Sequence, residues 1–443
     1  MISAFIVATL LVGPPARLPA SPPQSDSQAA RRPVGQTVRP SDSLPRAERG
    51  GSRLAAYLVT FGPGPEVWER FGHNAIWIRD TVSGENHAWD YGRFAFGPGF
   101  LTSFARGKLL YWMGRADGVR VVNAYVQKQR SVYLQELDLT PTERVALRDF
   151  LDANFAKDEG RYRYDYYLDN CSTRVRDAID AVAGGRIRAT LDSGNSGTSY
   201  RWHTRRSMEN NLFIWTATDA GLGPKVDRPI TRYGETFLPG KLREHIRSVE
   251  YTDDQGRTHP LIRGEITLAE TDRYLVPDTP TDYTSRFVVL GLVLGLALLA
   301  LGAAARDNAL ARWLFGFLGG GWALIAGVGG ALLLFLWLGS DHEVAWRNQN
   351  LWNFNLLALA LVPLLPGALR RNPVRVKPAL ALAFLLVASA VLGVIVKGLP
   401  GGGQANAEII ALTLPLHAGL ALGLRAAIRS PRPLPSGDLP SPQ

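Results

Sequence analysis

The sequence predicts an α+β domain followed by a five-helix membrane domain, and three observations carry that prediction. Hydrophobic residues make up 46% of the 443, but beyond about residue 286 they merge into long uncharged runs. Between residues 51 and 285, alternating aromatic-rich runs are interleaved with segments of helical periodicity. Within that stretch His73 enters an apolar run, and the only cysteine, Cys171, stands where a helix should begin.

Taken in order, residues 1–20 read as a signal peptide or short N-terminal anchor. ISAFIVATLLV (residues 2–12) is a short apolar core, Gly13-Pro14-Pro15 breaks it, and Ala20 offers a small residue for cleavage. The signal is weak, because no Lys or Arg precedes the core. Residues 21–50, rich in Pro, Ser, Arg and Gln, cannot bury enough apolar surface to fold and read as a disordered linker.

In the domain spanning 51–285, LAAYLVTFG, HNAIWIRD and ENHAWDYGRF are strand-like, broken by GPGP and by Ser83-Gly84-Glu85-Asn86; SVYLQELDL is a further strand. Thr140-Pro141-Thr142-Glu143 has capping-box spacing with Pro at the first helical position, and opens a helix through VALRDFLDANFA. After the tyrosine-rich RYRYDYYLDN, CSTRVRDAIDAVAGG places Val175, Ala178, Ile179 and Val182 on one helical face and ends in Gly184-Gly185.

The five apolar runs lie within 286–429, and each approaches the roughly 20 residues that cross a bilayer core. Charge orients them. Arg306 and Arg312 lie between the first two runs, Arg370, Arg371, Arg375 and Lys377 between the third and fourth, and Arg425, Arg429 and Arg432 follow the fifth. The alternate loops hold only Arg347 and Lys397. The positive-inside bias therefore expects a cytoplasmic C-terminus, with residues 430–443 a disordered cytoplasmic tail and the 51–285 domain exported. The net charge of +10 comes mostly from the flanks: residues 51–286 carry 32 basic and 31 acidic side chains. No basic stripe suited to nucleic acid is present.

A lone cysteine cannot form an internal disulfide, so in an oxidising compartment Cys171 is a free thiol or half of an intermolecular bridge. At a helix N-terminus the macrodipole favours a thiolate, and the neighbouring N–H groups are placed to receive an oxyanion. Asn170, Asn74 and Arg174 are candidates for substrate or oxyanion contacts. A thiol paired with an imidazole performs acyl transfer, which makes His73 the candidate base. Paired His/Cys spacing of the metal-binding kind is absent, and no metal or other cofactor is expected. A second polar group lies between the second and third runs, in GSDHEVAWRNQNLWNFN: His342, Arg347 and Asn350 are candidates there for a lipid head group or an incoming substrate, against an interfacial loop anchored by Trp346 and Trp352.

The runs GHNAIWIRD, WDYGRFAFGPGFLTSFARGKLLYWMG, YYLDNCSTRVRDAID and GLGPKVDRPITRYGETFLPGKL together resemble the exported domain of the Lnb-type lipoprotein N-acyltransferases, over residues 55 to 250. More distantly they are similar to permuted papain-like enzymes of the NlpC and lecithin:retinol acyltransferase kind. The resemblance implies a small antiparallel sheet carrying His73 as general base, packed on a helix that starts with Cys171 as nucleophile. His87 or Asp90 would orient the imidazole, Asp90 by its chemistry and His87 by its position. It further implies acyl transfer from a phospholipid, through a Cys thioester, to the N-terminal amine of a diacylglyceryl-cysteine lipoprotein at the bacterial inner membrane. The residues alone also admit an exported thiol amidase or peptidase acting on cell wall, or a non-enzymatic membrane scaffold.

Overall fold

The structure is a computed structural model, and it describes residues 50–157, 160–253, 255–399 and 403–429. The expected signal segment, the linker up to residue 49 and the tail from residue 430 lie outside the described residues. The chain forms two compact units, one of residues 1–214 with 229–279, the other of residues 215–228 with 280–443.

The first unit is built on strands β1 (Leu54–Phe61), β2 (His73–Asp80), β3 (Asn86–Arg93), β4 (Leu110–Ala116), β5 (Val132–Leu137), β6 (Tyr162–Arg163), β7 (Glu250–Thr252), β8 (Thr258–Pro260) and β9 (Ile262–Ala269). Seven of them form one sheet in the order β6-β4-β3-β2-β1-β5-β9, every neighbouring pair antiparallel, and β7 pairs with β8 apart from it. Four helices matter to the site: α1 (Phe100–Ala105), α2 (Gly118–Gln127), α3 (Pro141–Ala156) and α4 (Cys171–Val182).

Strand alternation divides the sheet's residues between its faces. Val59, Phe61, Ala75, Trp77, Ala88, Val132 and Leu134 cluster with Val122 and Tyr125 of α2. The α2 sequence GVRVVNAYVQ is rich in β-branched residues, yet it is helical because Asp117 caps it, accepting from Arg120 N at 2.9 Å. Gly118 is required at its first position, since a Cβ there would lie 2.2 Å from the Trp77 ring nitrogen. Helix α4 packs against β2 and β3, and its apolar side chains Val175, Ala178 and Ile179 are buried, as the sequence periodicity expects. The capping box also forms: Thr140 Oγ1 accepts from Glu143 N, and Glu143 Oε2 from Thr140 N at 2.8 Å.

The second unit holds α5 (Thr284–Ala304), α6 (Ala309–Leu338), α7 (Ala358–Leu369), α8 (Pro373–Lys397) and α9 (Ala407–Ile428). Among the described residues four of these, all but α7, are long and apolar enough to cross a membrane. All five expected helices are present, but the third run is helical over only part of its length. The α7 helix has 12 residues, about 18 Å of rise against a core of about 30 Å. The preceding residues form a short 3₁₀ turn, Gln349–Trp352, and then irregular chain.

That irregular stretch is accommodated inside the bundle. Built Cβ atoms on Gly330 of α6 and Gly393 of α8 would lie 2.6 Å from the Phe354 carbonyl oxygen and from Trp352 Cβ respectively, so backbone passes where neither helix has a side chain. Non-helical backbone at membrane depth needs its polar groups satisfied by protein. Here Ser389 Oγ donates to the Trp352 carbonyl at 2.8 Å, Thr413 Oγ1 to Asn353 Oδ1 at 2.9 Å, and His417 Nε2 to the Asn353 carbonyl at 2.8 Å.

Helices α5 and α9 meet through small residues, a packing common between membrane helices. A Cβ on Gly295 would lie 2.4 Å from the Pro415 carbonyl oxygen. Gly295→Leu is expected to separate the two helices and cost about 1–3 kcal/mol, read as a lower midpoint in thermal unfolding of the purified full chain in detergent. An unchanged midpoint would contradict this packing.

Candidate active site

Asn170 decides where α4 starts. Its side-chain oxygen accepts from Ser172 N at 2.8 Å and Thr173 N at 3.0 Å, while Thr173 Oγ1 accepts from Asn170 N at 2.7 Å. Its amide nitrogen donates to the Tyr166 and Phe237 carbonyls, both at 3.0 Å. Asn170 is thus fully engaged as a buried cap. Of the first-turn N–H groups, Cys171's own is the one that this cap does not use. Next along, Ser172 Oγ sits between Asn74 Oδ1 (2.8 Å) and the Thr236 carbonyl (2.7 Å), and Asn74 Nδ2 donates to Val59 O and Thr60 Oγ1. Asn74, fully buried, therefore ties the helix start to β1 and β2.

Pairing of the strands places the imidazole. In the β2–β3 register Asp90 lies opposite Ala75, two residues from His73 and on its face of the sheet. His73 Nε2 is 3.0 Å from Asp90 Oδ2, and Arg93 Nε donates to Asp90 Oδ1 at 2.8 Å. His87 lies opposite Ile78, on the other face, and its Nε2 meets Glu85 Oε1 at 3.0 Å. The structure thus brings Asp90, and not His87, to His73.

His73 begins β2 and Gly92 stands near the end of β3, so in antiparallel strands both lie at one end of the sheet, where α4 starts. The Cys171 sulfur lies beside the His73 ring, near enough to raise its pKa; with Nε2 turned to Asp90, Nδ1 is the nitrogen left for the thiol. Gly92 permits this approach. Its φ of 90° lies in a region closed to most side chains, it interrupts the β3–β4 register, and a Cβ on it would lie 3.2 Å from Cys171 Cβ. The same built Cβ would lie 3.8 Å from the hydroxyl of Tyr162, a buried phenol with no hydrogen-bond partner among the described residues.

Electrostatically the pair favours imidazolium. Burial opposes the charge on His73, but Tyr125, the Cys171 sulfur and the hydrogen bond to Asp90 hold its pKa well above the ordinary histidine value. Burial likewise pushes Asp90 up, and the hydrogen bond from His73 with the charge of Arg93 brings it below the usual carboxylate value. Tyr125 stacks parallel to the His73 ring, with centroids 6.2 Å apart, and packs at 3.7 Å on Phe61, fixing the ring's plane.

The other candidates are placed as follows. Arg174 binds Asp169 through Nε (2.6 Å) and Nη2 (2.8 Å), with its guanidinium 3.8 Å over the Tyr162 ring. In the second unit His342 is buried and Arg347 is exposed with φ 54. Asn350 Nδ2 donates to Ala220 O at 3.0 Å and its Oδ1 accepts from Asn406 Nδ2 at 2.7 Å. With Asn348 and Gln404, which donate to Ala220 O and Leu222 O, it anchors residues 215–228 on that unit. Among the described residues no group of three or more His, Cys, Asp or Glu side chains is arranged to hold a metal ion.

Sequence reading had not singled out Gly92, Tyr125 or Tyr162. For Gly92 a signal was present, since glycine inside a strand pattern marks a bulge or a close approach of backbone. Gly92→Ala is expected to displace Cys171 from His73. A misplacement of about 1 Å costs roughly 100-fold in rate, so thiol alkylation and turnover should both change, and the strain of a side chain at this positive φ should also lower the unfolding midpoint. Unaltered Cys171 chemistry in this variant would contradict the close approach.

Two family models match the chain: the Lnb N-terminal periplasmic domain over residues 46–211 and the Lnb transmembrane domain over residues 280–422. No curated protein and no solved structure matches it. The first model spans His73, Asp90 and Cys171 and the second the apolar helices, in the order in which the chain presents them; the chain belongs to the Lnb-type family and is a membrane protein with an exported domain.

Proposed function

We propose that this protein is a lipoprotein N-acyltransferase of the inner membrane, working through a Cys171 thioester in a permuted papain-like domain. The observation that carries the proposal is the His73–Asp90 pair set against the single thiol, on a chain whose other unit is made of membrane-crossing helices. Family membership supports the same reaction class.

In the first step His73 Nδ1 takes the Cys171 proton and the thiolate attacks the ester carbonyl of a phospholipid. Charge builds on the former carbonyl oxygen, where the Cys171 N–H and the positive end of α4 stabilise it. The C–O bond breaks, the imidazolium returns its proton to the leaving alkoxide, and lysophospholipid departs from the thioester. In the second step the α-amino group of a diacylglyceryl-cysteine attacks the thioester carbonyl, the C–S bond breaks, and His73 relays the amine's proton to the thiolate. Asp90 holds the ring and stabilises the imidazolium formed in each step.

The direct test is mass spectrometry of a lipoprotein N-terminus in cells deprived of their own N-acyltransferase. A third acyl chain is expected with this protein and not with Cys171→Ala. A third chain with Cys171→Ala excludes the thioester, and release of peptides from purified sacculi by the wild type would instead mark a wall amidase.

The pH profile tests the pair. Because the folded pKa of His73 is raised, its imidazolium form persists above the ordinary histidine value and is lost only as pH rises through the raised value. The alkaline limb of kcat/KM should therefore lie above that of a free histidine. Asp90→Asn should move the limb to lower pH and lower the plateau by about 100-fold; an unmoved limb would remove Asp90 from the site.

A further inference from the structure

Between β3 and β4 the chain makes a loop and the short helix α1, and under them lies a cavity of about 210 Å³ whose lining includes Phe100, Ser103, Phe104, Lys108, Leu110 and Tyr111. Three features of this cavity bear on the reaction.

The first is its continuity with the nucleophile. Leu110 and Tyr111 at the cavity pair with Arg163 and Tyr162 of β6, and Tyr164 N donates to the Leu109 carbonyl at 2.8 Å. This is the strand that leads into Cys171. A ladder of rings follows the same course: Tyr164 to Tyr111 at 4.4 Å, Tyr111 to Phe94 at 5.1 Å, and Phe94 to Phe100 at 5.9 Å between centroids. Its near end, Tyr164, has Cε2 only 3.6 Å from the built Cβ of Gly92, the same position that lies 3.2 Å from Cys171 Cβ.

The second is the chemistry of the walls. The ladder presents ring faces, and the cavity is mixed: Phe100, Phe104, Leu109, Leu110 and Tyr111 supply apolar wall beside the polar side chains of Ser103 and Lys108 and the glycine-rich backbone of residues 97–99, a combination that takes an apolar body with a few polar contacts. The third is the rim. Leu101 and Leu110 stand exposed beside it, at 48% and 58% of their surface, and neighbouring exposed apolar side chains mark contact with another apolar body.

We infer that this ring ladder and cavity form the acyl-chain site of the donor lipid: when the carbonyl carbon sits at Cys171, the fatty chain runs along Tyr164, Tyr111 and Phe94 into the cavity beneath α1. The inference rests on the acyltransferase reading and adds to it where the chain of the acyl-enzyme lies. The occupant is the donor chain because only that chain is covalently held at Cys171; the chains of the acceptor are tethered to the amine.

The test is photolabelling of the full-length Cys171→Ser protein in lipid nanodiscs, with a phosphatidylethanolamine carrying a diazirine at the end of one acyl chain. Labelled peptides covering residues 94–111 are expected. Filling the cavity with Ser103→Trp, or with Leu110→Trp should the first variant fail to fold, should lower labelling of that segment about tenfold while labelling of helices 284–428 stays constant. Labelling confined to those helices, labelling of 94–111 unaffected by both tryptophans, or labelling of it only by a diazirine-bearing diacylglyceryl lipopeptide would each overturn the inference. Labelling needs no turnover, so the two readings fail separately: a labelled segment on a protein that never N-acylates lipoproteins refutes the reaction alone. In the active protein, the tryptophan variants should keep transfer of a hexanoyl chain and lose that of a palmitoyl chain, a split that general loss of structure would not give.

Discussion

The site depends on the seating of one helix turn. Asn170 fixes where α4 begins, and the Ser172–Asn74 hydrogen bond fixes what that beginning touches. All three side chains are buried; losing Asn170 leaves the N–H groups of Ser172 and Thr173 without their cap, and losing Ser172 leaves Asn74 Oδ1 without its donor, each a cost of about 1–3 kcal/mol. With the turn so held, Cys171 has little freedom about its own backbone. It meets His73 at the end of β2 because Gly92 has no side chain in the way. The side-chain amides of Asn170 and Asn74, whose types suggest contact with substrate, are engaged in holding the helix turn that carries Cys171.

Much of this was legible in the sequence, and the reasons are local. Strands β1, β2, β3 and β5 follow alternation bounded by turn residues, and the Thr140 and Cys171 helices follow capping and a 3.6-residue period. The choice between His87 and Asp90 was not legible, because it turns on the register of one hairpin: a slip by one residue would exchange the faces they occupy. Helix α2 was hidden by its β-branched composition, and with it Tyr125, whose ring lies flat against His73. Its fold is set by the Asp117 cap and by burial against Trp77, which are tertiary facts.

The membrane unit teaches the same lesson in reverse. Its third apolar run has the length of a span but also Asn353 and Asn355 at its start and Pro363 and Pro366 within it. Those residues are the signature of a broken helix, and Ser389, Thr413 and His417 on the neighbouring helices supply the hydrogen bonds that an unbroken one would not need. Hydropathy alone counts such a run as a full crossing. The polar loop before it is likewise committed: its Asn348 and Asn350 bond to the backbone of residues 215–228 and to Gln404 and Asn406 of the segment between α8 and α9.

What distinguishes a thiol acyltransferase from every other use of a half-buried cysteine is a covalent acyl group on that sulfur. Intact-mass spectrometry of the purified full chain, incubated with phospholipid and no lipoprotein, measures it directly. A single acyl adduct on Cys171, removed by hydroxylamine and discharged by an added diacylglyceryl lipopeptide, is the predicted result. Transfer to the lipopeptide with no adduct at any time, or an adduct that the lipopeptide never discharges, would contradict the thioester as the intermediate.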